Sequence, residues 1–149
     1  MFKISSRLQH TISFLSYIAR QHERTVPLSE VASKFNLSQG YLEEIAAQLR
    51  RRGIVDGHKG ISGGYRLAAD VTSISLLEVF RAVHDTPILV DCLDSSSAVN
   101  CNADEGFAVR RLWADLNSMV LVRLSAMTLA DVSPISAKQK IRNIKVKTS

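Results

Sequence analysis

Residues 28–67 read LSEVASKFNLSQGYLEEIAAQLRRRGIVDGHKGISGGYRL, and this stretch decides the fold. Its apolar residues recur at helical spacing on both sides of Asn36-Leu37, which predicts two short helices joined by a tight turn. We expect Ser29 to cap the first of these helices and Ser38 to cap the second, which should end near Gly53.

A hairpin is predicted directly after the second helix. Ile54 and Val55 open a strand, residues 58–64 form a turn that contains three glycines, and Tyr65-Arg66-Leu67 returns as a second strand. Two helices across a turn, followed by a small hairpin, are the parts of a winged helix–turn–helix. Such a head places its second helix in the major groove of DNA.

The segments around this head extend the prediction. A helix over about residues 6–21 precedes it, and a Ser75–Glu78 capping box begins a helix after it. A long helix over about residues 106–127 carries more apolar surface than one small head needs to cover it. The expected fold class is mainly α with a small two-stranded β wing. The expected division is a DNA-binding domain (1–84), a cysteine-containing loop (85–105), a long helix with a short one after it (106–132) and a basic tail (133–149).

Charge favours a nucleic-acid partner. The chain of 149 residues has a formal net charge of +5. Residues 50–66 hold five Lys or Arg against one acid, and residues 138–149 hold five and no acid. Such concentration makes an electrostatic footprint. No apolar run reaches the ~20 residues that span a bilayer, and the N-terminus lacks a signal-peptide pattern, so a cytoplasmic protein without a membrane partner is expected.

The start of the second helix carries the residue types that read bases. Gln pairs with adenine, Glu accepts from cytosine, and Gly40 would let the backbone approach the phosphates. The arginines after it are expected to contact phosphate or to pair with Glu44 and Asp56. Lys59 at the hairpin tip suits a minor groove. The predicted DNA-contacting residues are Ser38, Gln39, Gly40, Tyr41, Glu43, Arg50, Arg51, Lys59, Gly60, Gly63, Gly64 and Tyr65.

Each feature also has a purely structural explanation. Glu43 near a helix N-terminus is favoured by the macrodipole alone, and the glycines of the hairpin could serve only its turn. An arginine triplet is commonly a solvated face, and some winged helices bind protein instead of DNA. The order of all these features along one stretch favours DNA binding.

SQGYLEEIAAQLRRRGIVDGHKGISGGYRLA closely resembles the IscR/NsrR group of bacterial regulators, the Rrf2 family. ISLLEVFRAV, a cysteine loop, and RLWADLN leading to MTLADV extend the resemblance over roughly residues 2–132. It implies a transcriptional regulator, expected to be a repressor, that binds a pseudo-palindromic site on double-stranded DNA as a homodimer. It also implies dimerisation through the long helix, with interface residues Leu112, Trp113, Leu116, Val120 and Leu124.

The same resemblance implies chemistry at the cysteine loop. Many members bind an iron–sulfur cluster there with three cysteines. This chain matches the first two with Cys92 and Cys101, but has Phe107 or a neighbour in place of the third. Three alternatives stay open for this pair: a metal or cluster site completed by other ligands, a reversible cytosolic disulfide, and no working sensor.

Enzymatic activity is not expected. No histidine is placed to activate Cys92 or Cys101, and the sequence has no cofactor motif. The two other functions that the residues allow are a winged-helix regulator without a working sensor and a winged-helix module that binds protein.

Overall fold

The computed structural model describes residues 4–21, 24–84, 93 and 106–133. The prediction of a mainly helical chain with a two-stranded antiparallel sheet is confirmed. The sensor loop with Cys92 and Cys101 and the basic tail after residue 133 lie outside the described residues. In chain order the elements are α1 (Ser6–Arg20), α2 (Leu28–Phe35), α3 (Gln39–Arg51), β1 (Val55–His58), β2 (Gly64–Leu67), α4 (Leu76–Val83), α5 (Gly106–Ala126) and α6 (Leu129–Val132).

The boundaries of α2 and α3 follow from their flanking residues. Asn36 takes the left-handed conformation (φ 52°) that turns the chain between the two helices, and short polar residues tolerate this region. Ser38 caps α3 as predicted, its hydroxyl accepting from the Tyr41 amide at 3.3 Å. The prediction that Ser29 caps α2 is wrong. The extended backbone of Pro27 leads directly into the helix at Leu28, so Ser29 already lies in the first turn.

A single apolar core joins the helices of the head. Phe14 and Leu15 of α1 and Leu42, Ile45 and Leu49 of α3 are fully buried in this core. These residues recur on one side of each helix at three- and four-residue spacing, so the opposite side of α3 stays exposed. The core therefore fixes which face of α3 is available to a partner.

The hairpin is tied to the rest of the head by backbone hydrogen bonds. Val55 lies opposite Leu67, and His58 lies opposite Gly64. Val26 and Tyr65 exchange two N–H···O bonds of 2.8 Å each, so the segment before α2 pairs with β2. The hairpin consequently cannot swing as an independent arm.

The chain also returns to the head after α5. The Leu76 amide donates to the Met127 carbonyl at 2.9 Å, and the Leu129 amide donates to the Ile74 carbonyl at 2.8 Å. Ser75 begins α4 with a capping box to Glu78, and the Thr128 amide, just before α6, donates to the Asp131 carboxylate at 2.8 Å. Leu129 is fully buried in the head core. The C-terminal end of α5 is thus fixed to the head.

Exposed apolar residues occur along α5. Leu112 is 52% exposed and Met119 is 68% exposed. The further exposed apolar residues of this helix are Val109, Val120 and Val122. Leu124, near the end of the helix, packs instead against the core of its own head. Among the residues that the structure describes, none of the helices combines the length and the hydropathy of a membrane span.

A charged cluster joins α1 to α2. Arg24 donates two hydrogen bonds to the Glu30 carboxylate, at 2.6 and 3.0 Å, and the Tyr17 hydroxyl donates a third at 2.6 Å. The Arg24 guanidinium, and next the Tyr17 hydroxyl, lower the pKa of Glu30 below its usual value. The cluster therefore favours the ionised carboxylate in the folded protein.

We expect this cluster to make stability depend on acid pH. A carboxyl whose pKa is lower in the folded state contributes stability that is fully present above its unfolded pKa. That stability is lost as the pH falls through the folded pKa. Because the cluster is partly solvated, its contribution is at most about 1 kcal/mol. Glu30→Gln should flatten the loss of unfolding free energy below about pH 4.3 in urea titrations; an unchanged pH profile would contradict this.

Candidate nucleic-acid interface

The first turn of α3 presents exposed polar groups beside exposed backbone. Ser38, Gln39, Gly40 and Glu43 are all exposed. The Gln39 amide donates to the Glu43 carboxylate at 3.2 Å, so the two side chains lie on one face of the helix. An amide and a carboxylate on one exposed face can donate to and accept from base edges once this bond opens.

Tyr41 occupies a different environment from its neighbours. Its hydroxyl lies 3.1 Å from Nδ1 of His10, and the two rings meet edge to face with centroids 5.7 Å apart. The Arg7 guanidinium carbon lies 5.8 Å from the centre of the Tyr41 ring. Tyr41 is therefore half-buried and joins α3 to α1, while its exposed neighbours at the start of the helix remain free to meet DNA.

Arg7 extends this contact along α3. Its Nη2 donates to Oε1 of Gln48 at 3.1 Å and lies 3.5 Å from Oε2 of Glu44. Sequence reasoning missed both Arg7 and His10 as residues that hold the recognition helix. Their only sequence signal is a three-residue spacing, which places two side chains on one helix face but does not say which helix that face meets.

The arginine triplet lies at the other end of α3. Arg50, Arg51 and Arg52 are exposed. They do not form the ion pairs with Glu44 and Asp56 that the sequence left open. Glu44 lies beside Arg7, and within the described residues no salt bridge joins the triplet to a carboxylate. These guanidinium groups are thus available to phosphate oxygens.

The tip of the hairpin consists of residues 59–63. Lys59 is exposed there. Gly60 has φ 113°, a backbone conformation that residues other than glycine rarely adopt. The Gly63 amide donates to the Gly60 carbonyl at 2.9 Å, and the Thr25 hydroxyl donates to the Ser62 carbonyl at 2.5 Å. Gly60 and Gly63 therefore help to form the turn. This agrees with the structural explanation of the hairpin glycines given from the sequence.

Tyr65 points toward the head. Its ring lies edge to face with the Phe14 ring, at a centroid distance of 6.3 Å, and is half-buried. Of the predicted DNA contacts, Tyr41 and Tyr65 thus have their rings packed on other elements. Gly64 is half-buried at the first position of β2, opposite His58. The groups exposed together are the start of α3, the arginines at its end and Lys59 on the tip.

A capped helix with an exposed polar first turn, a short helix across a tight turn and a braced basic hairpin define a winged helix–turn–helix DNA-binding protein. The chain belongs to the Rrf2 family, whose profile is described as "Iron-dependent Transcriptional regulator" and matches residues 4–134. It is therefore a DNA-binding transcriptional regulator and, as predicted, not an enzyme.

Individual relatives agree with this membership. The HTH-type transcriptional regulator IscR of Vibrio vulnificus is 29% identical over 131 residues, which are 87% of this chain and 76% of that protein. The structure of CymR, the global cysteine regulator of B. subtilis, has a TM-score of 0.72 at 28% identity and covers 89% of this chain and 97% of its own. The IscR structure of T. potens has a TM-score of 0.68 at 24% identity, covering 87% and 85%, and shares the fold.

Gly40 gives a test that separates stability from DNA contact. A Cβ at this exposed helical position would meet no atom within 4 Å. Gly40→Ala should therefore raise the unfolding free energy by about 0.5–1 kcal/mol, because alanine loses less backbone entropy in a helix. Because Gly40 is predicted to let the backbone approach a phosphate, the same methyl group should lower the affinity for DNA about tenfold.

Urea unfolding without DNA and fluorescence anisotropy with a labelled duplex measure the two effects of Gly40→Ala. Ser38→Ala calibrates the stability measurement, because loss of the cap should lower the unfolding free energy by about 1 kcal/mol. Unchanged DNA affinity in Gly40→Ala would contradict a close backbone approach at this turn.

Proposed function

We propose that this regulator is a cytoplasmic, homodimeric repressor that reads a pseudo-palindromic operator with two α3 helices and two wings. The observation that carries this proposal is that one head combines the exposed polar start of α3 with a braced basic hairpin. Gln39 and Glu43 are suited to read base edges, while Arg50, Arg51 and Lys59 are suited to hold phosphates. The four-part division of the chain made from the sequence belongs to this proposal.

The dimer is proposed to form through α5. In a single chain this helix leaves Leu112, Met119 and Val120 in contact with solvent. An exposed apolar face on one helix is typical of a surface that a second helix covers. Trp113 and Leu116 are half-buried beside it. Because Leu124 packs on its own head, the proposed interface is centred on Leu112, Leu116 and Val120.

Cys92 and Cys101 are proposed to carry the regulatory chemistry. The family description names iron, which supports a metal or cluster at this pair. Two thiolates supply half of the four ligands that a cluster usually has. Among the described residues, no group of three or more His, Cys, Asp or Glu side chains is placed to hold a metal ion. A cluster would need two further ligands besides the cysteines, whereas a reversible disulfide needs only the two cysteines.

Selection of duplexes from a random pool, followed by anisotropy titrations at several salt concentrations, tests DNA recognition. We expect a selected duplex with inverted half-sites, an affinity of about 10⁻⁸ M or tighter at physiological salt, and two chains bound per site. Affinity no better than micromolar without sequence preference would overturn the proposal.

Reporter transcription with the operator overlapping a promoter tests repression. We expect a lower signal with the protein than without it, and a higher signal would overturn the repressor assignment.

Anaerobic purification from cells proficient in cluster assembly tests the sensor. Visible absorption with bound iron, both lost in Cys92→Ser, would establish a cluster. If the protein is iron-free, mass spectrometry after mild peroxide tests a disulfide, which forms with loss of two hydrogens between Cys92 and Cys101. Iron-free protein that also forms no such bond would overturn the sensor role of the pair.

A further inference from the structure

The wing tip carries an apolar side chain that touches nothing in the head. Ile61, in the middle of the tip, is 109% exposed relative to its reference state. A single exposed isoleucine on a surface is common, but this one is held at the most projecting point of a DNA-binding hairpin. Its neighbours on the chain are Gly60 and Ser62, so no other bulky side chain covers it.

The backbone beneath Ile61 is held on both sides. Gly63 donates to Gly60 across the tip, and Thr25 donates to the carbonyl of Ser62. The part of β2 next to the tip is fixed in turn by the pair of hydrogen bonds between Val26 and Tyr65. Isoleucine is itself stiff because it branches at Cβ. A rigid loop therefore presents a rigid apolar group, and little side-chain entropy remains to be lost when that group is buried.

The charges around the tip indicate which surface would bury it. Lys59, two residues before Ile61, and Arg66 on β2 are both exposed. Asp56, opposite Arg66 in the register, is the one acid of the hairpin. A cationic hairpin with an apolar point is complementary to a narrow, electronegative groove in which an apolar side chain can enter between base pairs.

We propose that Ile61 is a wedge that enters the DNA minor groove and partly unstacks one base step, while Lys59 contacts the flanking phosphates. The wedge gives this regulator a preference for flexible pyrimidine–purine steps at a position that α3 does not reach. This inference rests on the DNA recognition proposed above and adds a second specificity element to it. The direction of bending that such a wedge produces is toward the major groove.

The test uses the full-length protein and the duplex selected for the wild type. Ile61→Ser should bind this duplex about tenfold more weakly, because serine lacks most of the apolar surface that isoleucine would bury in the groove. Energy transfer between dyes at the duplex ends should show a smaller bend for Ile61→Ser than for the wild type. Ser62→Ala, which changes the neighbouring tip residue without adding or removing a wedge, should match the wild type in both measurements.

Hydroxyl-radical footprinting of the two proteins locates the minor-groove step that loses protection in Ile61→Ser. Replacing that step by a stiff AA step should lower the affinity of the wild type for the duplex about tenfold and leave the affinity of Ile61→Ser unchanged. Equal affinity and equal bend for the wild type and Ile61→Ser would overturn the wedge, and would leave the tip to a protein partner. If the wild type itself selects no duplex, both the wedge and the proposed operator recognition fail; if it selects one and only the Ile61 comparison fails, the operator recognition stands.

Discussion

Leu112→Asp is expected to convert the regulator from a dimer to a monomer and to weaken operator binding by at least about a hundredfold. The Leu112 side chain is 52% exposed in the single chain, so the charge costs little in a folded monomer. In the proposed dimer the same carboxylate would be buried opposite an apolar helix without a partner. Loss of the dimer removes the second head, whose effective concentration at its half-site would otherwise add two orders of magnitude or more.

Light scattering after gel filtration gives the oligomeric state, and anisotropy gives the affinity. Ser118→Asp is the matched control on the same helix. Ser118 is exposed and lies about 160° around α5 from Leu116 and Val120 and about 120° from Leu112, so it stands outside the row on which the proposed interface is centred. It should stay dimeric and bind DNA within a factor of about three of the wild type. A dimeric Leu112→Asp with unchanged affinity would show that α5 does not form the interface.

Local features of this fold could be predicted from the sequence because a few neighbouring residues determine them. Ser38 precedes an apolar helical pattern, and Ser75 and Thr128 each stand three residues before an acid. The Ser38 and Ser75 hydroxyls cap their helices in the structure, and the Asp131 carboxylate accepts from the Thr128 amide at 2.8 Å. Capping needs only a side chain and an amide within one helical turn, so its signal is complete within four residues.

The candidate site was predictable only where its residues remain exposed. The start of α3 follows from the helix period, since the buried side of the helix fixes the other side as available. Tyr41 shares that helix, yet its hydroxyl is engaged by His10, which lies 31 residues away in sequence. The Arg7–Gln48 bond spans 41 residues. Such contacts depend on how helices pack in space, which the periodicity of either helix does not contain.

The hairpin glycines show the same difference between local features and contacts of distant segments. Three glycines within residues 58–64 predict a turn, and Gly60 does take a conformation with φ 113°. What the sequence does not show is that Gly64 packs against the backbone of Val26, which stands 38 residues before it. Its special role is a contact between distant segments, so it looks like any other hairpin glycine in the sequence.

Gly64→Ala is expected to lower the unfolding free energy by about 2–4 kcal/mol, the larger of the two stability effects that the hairpin offers. Gly64 has φ 153°, and a Cβ there would lie 2.5 Å from the carbonyl carbon and oxygen of Val26 and 2.8 Å from the nitrogen of Pro27. These are backbone atoms and cannot move aside alone. The methyl group would separate β2 from the segment before α2 and break the paired hydrogen bonds between Val26 and Tyr65.

Gly60→Ala separates this steric effect from backbone strain. Gly60 also has a positive φ, but a Cβ there would meet no atom within 4 Å. It should therefore cost only the strain of the conformation, about 1 kcal/mol. Urea unfolding of the three proteins gives the comparison. Because the Val26–Tyr65 bonds also orient the wing, Gly64→Ala should lose DNA affinity even at temperatures where it is fully folded. A Gly64→Ala that is no less stable than Gly60→Ala would show that the hairpin tolerates separation from Val26, and the wing would then be a mobile arm instead of a braced one.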